Sequence, residues 1–165
     1  MNYDKIIATA AQEMRASGIR KFFDIAAEMK DCISLGVGEP DFKTPWAVRD
    51  AGIRNLEMGQ TRYTSNSGMK ELRTEICKYL DRRFDLHYDP DSQVLVTVGG
   101  SEAIDIGIRA LVNPGDEVII PEPCYVCYDP ITHLTGGKVV SIPLQEKNQF
   151  RLTAEELKAA ITPRT

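Results

Sequence analysis

No run of apolar residues in this chain reaches the length needed to cross a bilayer. Its start, MNYDKIIATAAQEM, mixes both signs of charge instead of setting a basic stretch ahead of an apolar one. A cytoplasmic protein with no membrane association is therefore expected. Positive charge is not in excess either. The 20 Lys and Arg against 24 Asp and Glu leave a net charge of −4, which offers no electrostatic footprint for nucleic acid. Histidine is scarce, with only His87 and His133, and no Gly-x-Ser-x-Gly elbow occurs, so a hydrolytic triad is not expected. The glycine-bearing turns lack the Lys-Ser/Thr that completes a nucleotide P-loop. Cys32, Cys77, Cys124 and Cys127 stand in a chain without secretory features and are expected as free thiols, not disulfides.

What remains is the content of a globular domain: 165 residues, 42% of them apolar, enough for a real core. The chain is organised around Val94 to Ala103, VLVTVGGSEA. A β-branched run stops at Gly99-Gly100 and is followed by Ser101-Glu102-Ala103 and the spaced apolar residues Ile104, Ile106, Ile108 and Leu111. This reads as a buried strand, a tight turn and the start of a helix. Two glycines allow close approach of a ligand, and the N–H groups and positive dipole of a first helical turn suit a phosphate. Ser101 adds a hydroxyl and is placed to serve as N-cap.

Elsewhere the same punctuation recurs. Residues 4–29 carry apolar positions at helical spacing, broken at Ser17-Gly18, which predicts two short helices or an arm. Cys32 to Leu35 is strand-like and runs into Gly36-Val37-Gly38-Glu39-Pro40-Asp41, after which Thr44 is expected to cap a helix over about 45–57 with Pro45 at its first position. Ser67 is expected to cap a long helix whose inward face would be Met69, Leu72, Ile76, Tyr79 and Leu80. Asp89 to Ser92 and Asn113 to Asp116 read as turns. Val118 to Ile120 and Lys138 to Leu144 read as two more strands, with a helix over Cys124 to Leu134 closed by Gly136-Gly137. Thr153 to Glu156 forms a capping box for a last helix over 154–161. Strands alternating with helices imply a parallel, helix-covered sheet. Three strands are few for a closed domain, and the chain stops after a helix, where the next strand is due. A piece of a larger protein is expected.

Three features lie where a phosphate-bearing cofactor could use them: the Gly99 to Glu102 turn, Tyr125 just past the second strand, and Tyr63. Ligands of doubly wound sheets bind beyond the carboxyl ends of the strands, where an aromatic face at Tyr125 could stack on a planar ring. Packing under the loop is the competing reading. Gly36-Val37-Gly38 is a poor dinucleotide fingerprint, because Asp41 holds the third glycine position. It leaves either a tight turn or a glycine N–H facing a substrate carboxylate. Cys124 and Cys127 have redox-motif spacing, and with His133 they give three metal ligands without a fourth. Buried free thiols are the expected outcome, with no metal.

Together, Ser34 to Phe42 (SLGVGEPDF), Tyr63 to Gly68 with Leu72-Arg73, Val96 to Ala103, and Pro121 to Tyr125 (PEPCY) resemble, in that order, the class I/II aminotransferases. These are pyridoxal-phosphate enzymes of fold type I, and the aspartate and aromatic branch is the most similar. The resemblance implies a three-layer, mainly parallel α/β large domain, truncated here. Residues 1–43 would form an arm and small-domain segment and residues 44–165 the first part of the cofactor domain. It also implies cofactor contacts from Gly100, Ser101 and Glu102 to the phosphate and from Tyr125 to the ring. Tyr63 would reach a partner subunit's phosphate in a homodimer, and Gly38 would lie near the substrate carboxylate. Glu39 and Arg73 would be structural.

The Schiff-base lysine, the aspartate at the pyridine nitrogen and the substrate arginine of such enzymes have no counterpart in residues 1–165, and Lys138 and Lys147 do not follow a strand edge near the phosphate turn. No catalytic residue is therefore assigned, and the 165-residue chain alone is expected to be inactive. The implied parent reaction moves an amino group between an amino acid and a 2-oxo acid. A carbon-sulfur β-lyase or decarboxylase of the same fold, a non-catalytic phosphate-ligand or protein-binding module, and a Cys-x-x-Cys oxidoreductase are the alternatives.

Overall fold

A computed structural model describes residues 5–14, 18–31, 33, 38 and 40–165, without the side chains of residues 19–21 and 27. Glu39 and all of the strand-like run 32–35 except Ile33 lie outside the described residues, and Ile33 itself is in neither helix nor strand. The chain divides into two compact units, Met1–Ser17 with Val98–Thr165, and Gly18–Thr97.

The first unit holds the sheet. Strands β1 (Glu117–Glu122) and β2 (Lys138–Pro143) pair in parallel, with Glu117 opposite Lys138 and Glu122 opposite Pro143. The crossover between them carries a helix, Tyr128–Leu134, as a parallel pair requires. Ile120, Ile131 and Ile142 are buried and centre the core where this helix lies on both strands. Lys138 N–H binds the carbonyl of Asp116, so by parallel alternation the Glu117 N–H points to the other edge of β1, where it binds the Arg164 carbonyl at 2.8 Å. The Glu117 carboxylate binds the Arg164 guanidinium and the Thr162 hydroxyl, which fastens the end of the chain to that edge. Those two partners also hold the Glu117 carboxyl below the usual carboxylate range.

In chain order the helices are α1 (Thr9–Glu13), α2 (Ile19–Glu28), α3 (Trp46–Glu57), α4 (Lys70–Phe84), α5 (Gly99–Leu111), α6 (Tyr128–Leu134) and α7 (Ala154–Ala160), with a 3-10 turn at Glu146–Asn148. α1 and α2 answer to the two short helices expected, and α6 is shorter than its apolar segment because Cys124 to Cys127 is turn. α7 has the expected box: Thr153 Oγ1 accepts from the Glu156 N–H at 3.2 Å, and the Glu156 carboxylate accepts from the Thr153 N–H at 3.0 Å.

Four local expectations are corrected. Val94 to Val98 is not a strand. A strand exists through its ladder, and this segment joins none; its Val96 N–H binds the Ser67 carbonyl, and the sheet has two strands among the described residues, not three. Thr44 does not cap α3, whose N-cap is Pro45, and Ser67 does not cap α4, whose N-cap is Met69; neither end has a side-chain cap. The buried stripe of α4 is Arg73 and Cys77, while Met69, Leu72 and Tyr79 are exposed. Arg73 sets that orientation, because a buried guanidinium needs acceptors and finds them in the carbonyls of Gly68 and Pro90. Gly68 fits the same junction: its φ is +91°, and a Cβ there would lie 2.7 Å from that of Val96.

Candidate functional site

The site grows from the N-terminus of α5. Gly99 has φ +83°, which turns the chain sharply into the helix, and outside their own turn no atom of the described residues lies within 4 Å of where a Cβ would stand on Gly99 or Gly100. The helix therefore starts earlier than expected. Its N-cap is Val98, without a side-chain cap, and Ser101 is the third helical residue, not the N-cap. Glu102 folds back so that its carboxylate accepts the Val98 N–H. That occupies the glutamate side chain with the backbone of the turn, while the serine hydroxyl stays on the open side of the first turn.

Tyr125 lies three residues past the carboxyl end of β1. Its hydroxyl is 2.9 Å from Ser101 Oγ, so the two candidate residues meet although 24 positions separate them. Tyr125 is 52% exposed, which leaves surface for a ligand. Its edge contact is one that sequence reasoning missed: the Tyr128 ring stands at 84° to it with centroids 6.0 Å apart. The Tyr-x-x-Tyr spacing at a helix start was the available signal. A cleft of about 410 Å³ beside Tyr125 is bordered by Glu13, Glu122, Asp129 and His133.

Tyr63 and Gly38 belong to the other unit. Tyr63 is fully exposed in a shallow cleft with Arg62 and Met69, and Gly38 is exposed with no atom within 4 Å of a Cβ position.

The cysteine expectation is corrected in part. Cys77, Cys124 and Cys127 are free, but Cys124 is exposed and Cys127 only partly covered. Partial desolvation, then the carboxylates of Glu122 and Asp129, push the Cys124 thiol above its usual range. This runs against a redox motif, which depends on a lowered thiol pKa. His133 places Nε2 3.2 Å from Glu13 Oε2, and no cysteine joins it in a ligand cluster among the described residues. The trio whose donor atoms do converge is Asp81, Asp85 and His87 at the exposed end of α4. There the imidazole lies between two carboxylates, 2.8 Å and 3.5 Å away.

The chain belongs to the class I and II aminotransferases, whose family model matches residues 30–165. It is 56% identical over 154 residues to a putative aminotransferase, YugH, of Bacillus subtilis, covering 93% of this chain and 40% of that protein. It is 46% identical to an aspartate aminotransferase of Pyrococcus abyssi, covering 90% of this chain and 38% of that protein. Among solved structures, the Thermus thermophilus aspartate aminotransferase with maleate superposes with a TM-score of 0.88 at 34% identity, over 96% of this chain and 42% of that one. The fold is thus the α/β architecture of the fold type I aminotransferases, and the chain spans about 40% of the length of the relatives it matches. Membership implies pyridoxal phosphate as the cofactor of the class. No helix among the described residues is long and apolar enough to cross a membrane.

Proposed function

We propose that this chain forms the phosphate-and-ring half of a pyridoxal-phosphate site in an aminotransferase that moves an amino group between an amino acid and a 2-oxo acid. The observation that carries the reading is the 2.9 Å contact of Ser101 Oγ with the Tyr125 hydroxyl, which joins an uncapped helix N-terminus to a half-exposed aromatic ring. The residues fit the group: the glycines leave open space, the helix end favours an anion, and the carboxylate of the first turn, Glu102, is turned onto the backbone. Gly100 and Ser101 would hold the phosphate through N–H groups and the serine hydroxyl, and Tyr125 would lie against the ring. Glu102 acts by holding the turn.

When bound, the cofactor supplies an electron sink for the amino-group exchange. The chain's own share of the work is binding, orientation and exclusion of water from one face. None of its lysines is assigned the covalent role. Lys138 opens β2 at its amino end, opposite to the strand ends where ligands bind. Exposed Tyr63 is free to reach a partner subunit in a homodimer, and Gly38 would approach the substrate carboxylate. Residues 44–165 would be the opening part of the cofactor domain, with residues 1–43 as arm and small-domain segment.

The test is calorimetric titration of the chain with pyridoxal phosphate and with inorganic phosphate, then borohydride reduction and peptide mapping. Saturable binding that weakens in Ser101→Ala and Tyr125→Leu, with no single lysine labelled, is expected. Binding indifferent to both substitutions, or one lysine labelled stoichiometrically, would overturn the reading.

A further inference from the structure

We propose that Tyr128 is a positioning residue, which fixes the plane of the Tyr125 ring and so tunes the site for a planar aromatic ring without touching the ligand. The inference rests on the reading of Tyr125 as the ring-bearing aromatic. Tyr125 sits in the turn between β1 and α6, not inside either element. The hydrogen bond between its hydroxyl and Ser101 Oγ fixes one end of the side chain but leaves the ring free to rotate about its long axis. A second contact, off that axis, is needed to select a face. Tyr128 supplies it, with its ring at 84° to Tyr125 and 6.0 Å between centroids, an edge-to-face arrangement of aromatic quadrupoles.

The buttress is itself anchored. The Tyr128 N–H binds the Tyr125 carbonyl at 3.3 Å, closing a turn that holds the two residues together. The Tyr128 carbonyl accepts the hydroxyl of Thr132 at 2.8 Å, and Thr132 is fully buried, next to buried Ile131, on the face of α6 that lies on the sheet. Tyr128 is thus tied to the core, while Tyr125 borrows its orientation from two helices, α5 through Ser101 and α6 through Tyr128.

The experiment measures calorimetric affinities of the full chain for pyridoxal phosphate and for inorganic phosphate in Tyr128→Leu, Tyr128→Phe and Tyr125→Leu, with melting curves as the folding check. Tyr128→Leu should weaken pyridoxal phosphate by about fivefold, the size of an aromatic pair contribution, and leave inorganic phosphate unchanged. Tyr128→Phe, which keeps the ring, should restore the affinity. Equal loss of both ligands, failure of phenylalanine to restore, or a Tyr128→Leu protein that binds like the parent would overturn the positioning role. If Tyr125→Leu weakens pyridoxal phosphate while Tyr128→Leu does not, only this inference falls. If Tyr125→Leu has no effect, the reading of the site falls and takes the inference with it.

Discussion

Two helices of the same unit begin in opposite ways. α7 is closed at its N-terminus by Thr153 and Glu156, each binding the other's backbone, so the Thr153 and Glu156 N–H groups are satisfied inside the protein. α5 has no side-chain cap, two glycines in its first turn, and a hydroxyl on its third residue that points to Tyr125 instead of to the helix backbone. A missing cap does not by itself mark a ligand end, since α3 and α4 lack one too; at α5 it coincides with two glycines and the Ser101–Tyr125 contact, and the energy of a missing cap, about 1 kcal/mol, would be available to an anion that completes it.

The sharpest way to break this contrast is to supply the missing charge at α5. Ser101→Asp puts a carboxylate in the first turn, where the dipole favours it, so the melting temperature should hold or rise slightly. The same charge opposes an incoming phosphate at close range, and affinity for inorganic phosphate should fall on the order of a hundredfold. Stability and binding moving in opposite directions would mark a ligand end; a parallel loss would mean that α5 begins the way it does for the sake of the fold.

Thr153→Ala makes the converse test. It should cost about 1 kcal/mol, read as a drop of roughly 3 °C in melting temperature, and leave phosphate affinity untouched. Its pH dependence separates the box from other acidic groups. Bonds from the Thr153 N–H and hydroxyl hold the Glu156 carboxyl below its usual range. A lowered folded pKa means that the box is fully stabilising above the ordinary glutamate value of about 4.3 and is lost as pH falls through the lowered one. The parent should therefore lose more stability than Thr153→Ala between about pH 4.5 and pH 3. The slope left in the variant belongs to Glu156 itself, which keeps the bond from the backbone N–H of residue 153, and to groups such as Glu117 and Asp89, whose carboxyls are lowered by their own hydrogen bonds.

Sequence exposed what is decided locally. Thr153 and Glu156 lie three residues apart, and the β-branched runs ending in β1 and β2 need only each other to form a ladder. Motif order singles out the Gly99 to Glu102 turn and Tyr125, and both fall in one unit with Ser101 and Tyr125 in contact. What escaped depends on atoms far along the chain. Val94 to Val98 has strand composition but, among the described residues, no strand beside it, and composition cannot provide one. The helical face chosen by α4 is set by a carbonyl at Pro90, 17 residues from Arg73, and no apolar pattern records that. Ser101 has the residue type of a cap, whereas the positive φ of Gly99 turns the chain into the helix before it, so that Ser101 is the third helical residue. Tyr128 escaped because its partner lies just outside the helix whose periodicity would have flagged it.

The smallest effect is expected at Glu102, and it probes what the carboxylate does while the site is empty of charge. Glu102→Gln keeps an oxygen able to accept the Val98 N–H, so the turn should keep its shape, but it removes a negative charge from the first turn of α5. For the bare helix that charge is favourable, and its loss should cost a few tenths of a kcal/mol. For a phosphate arriving at the same turn the charge is repulsive, so affinity for inorganic phosphate should rise about twofold in low salt and the gain should shrink as salt screens it. Should phosphate binding weaken instead, the carboxylate would be organising the turn by more than one accepted hydrogen bond, and the open end of α5 would be less incomplete than its missing cap implies.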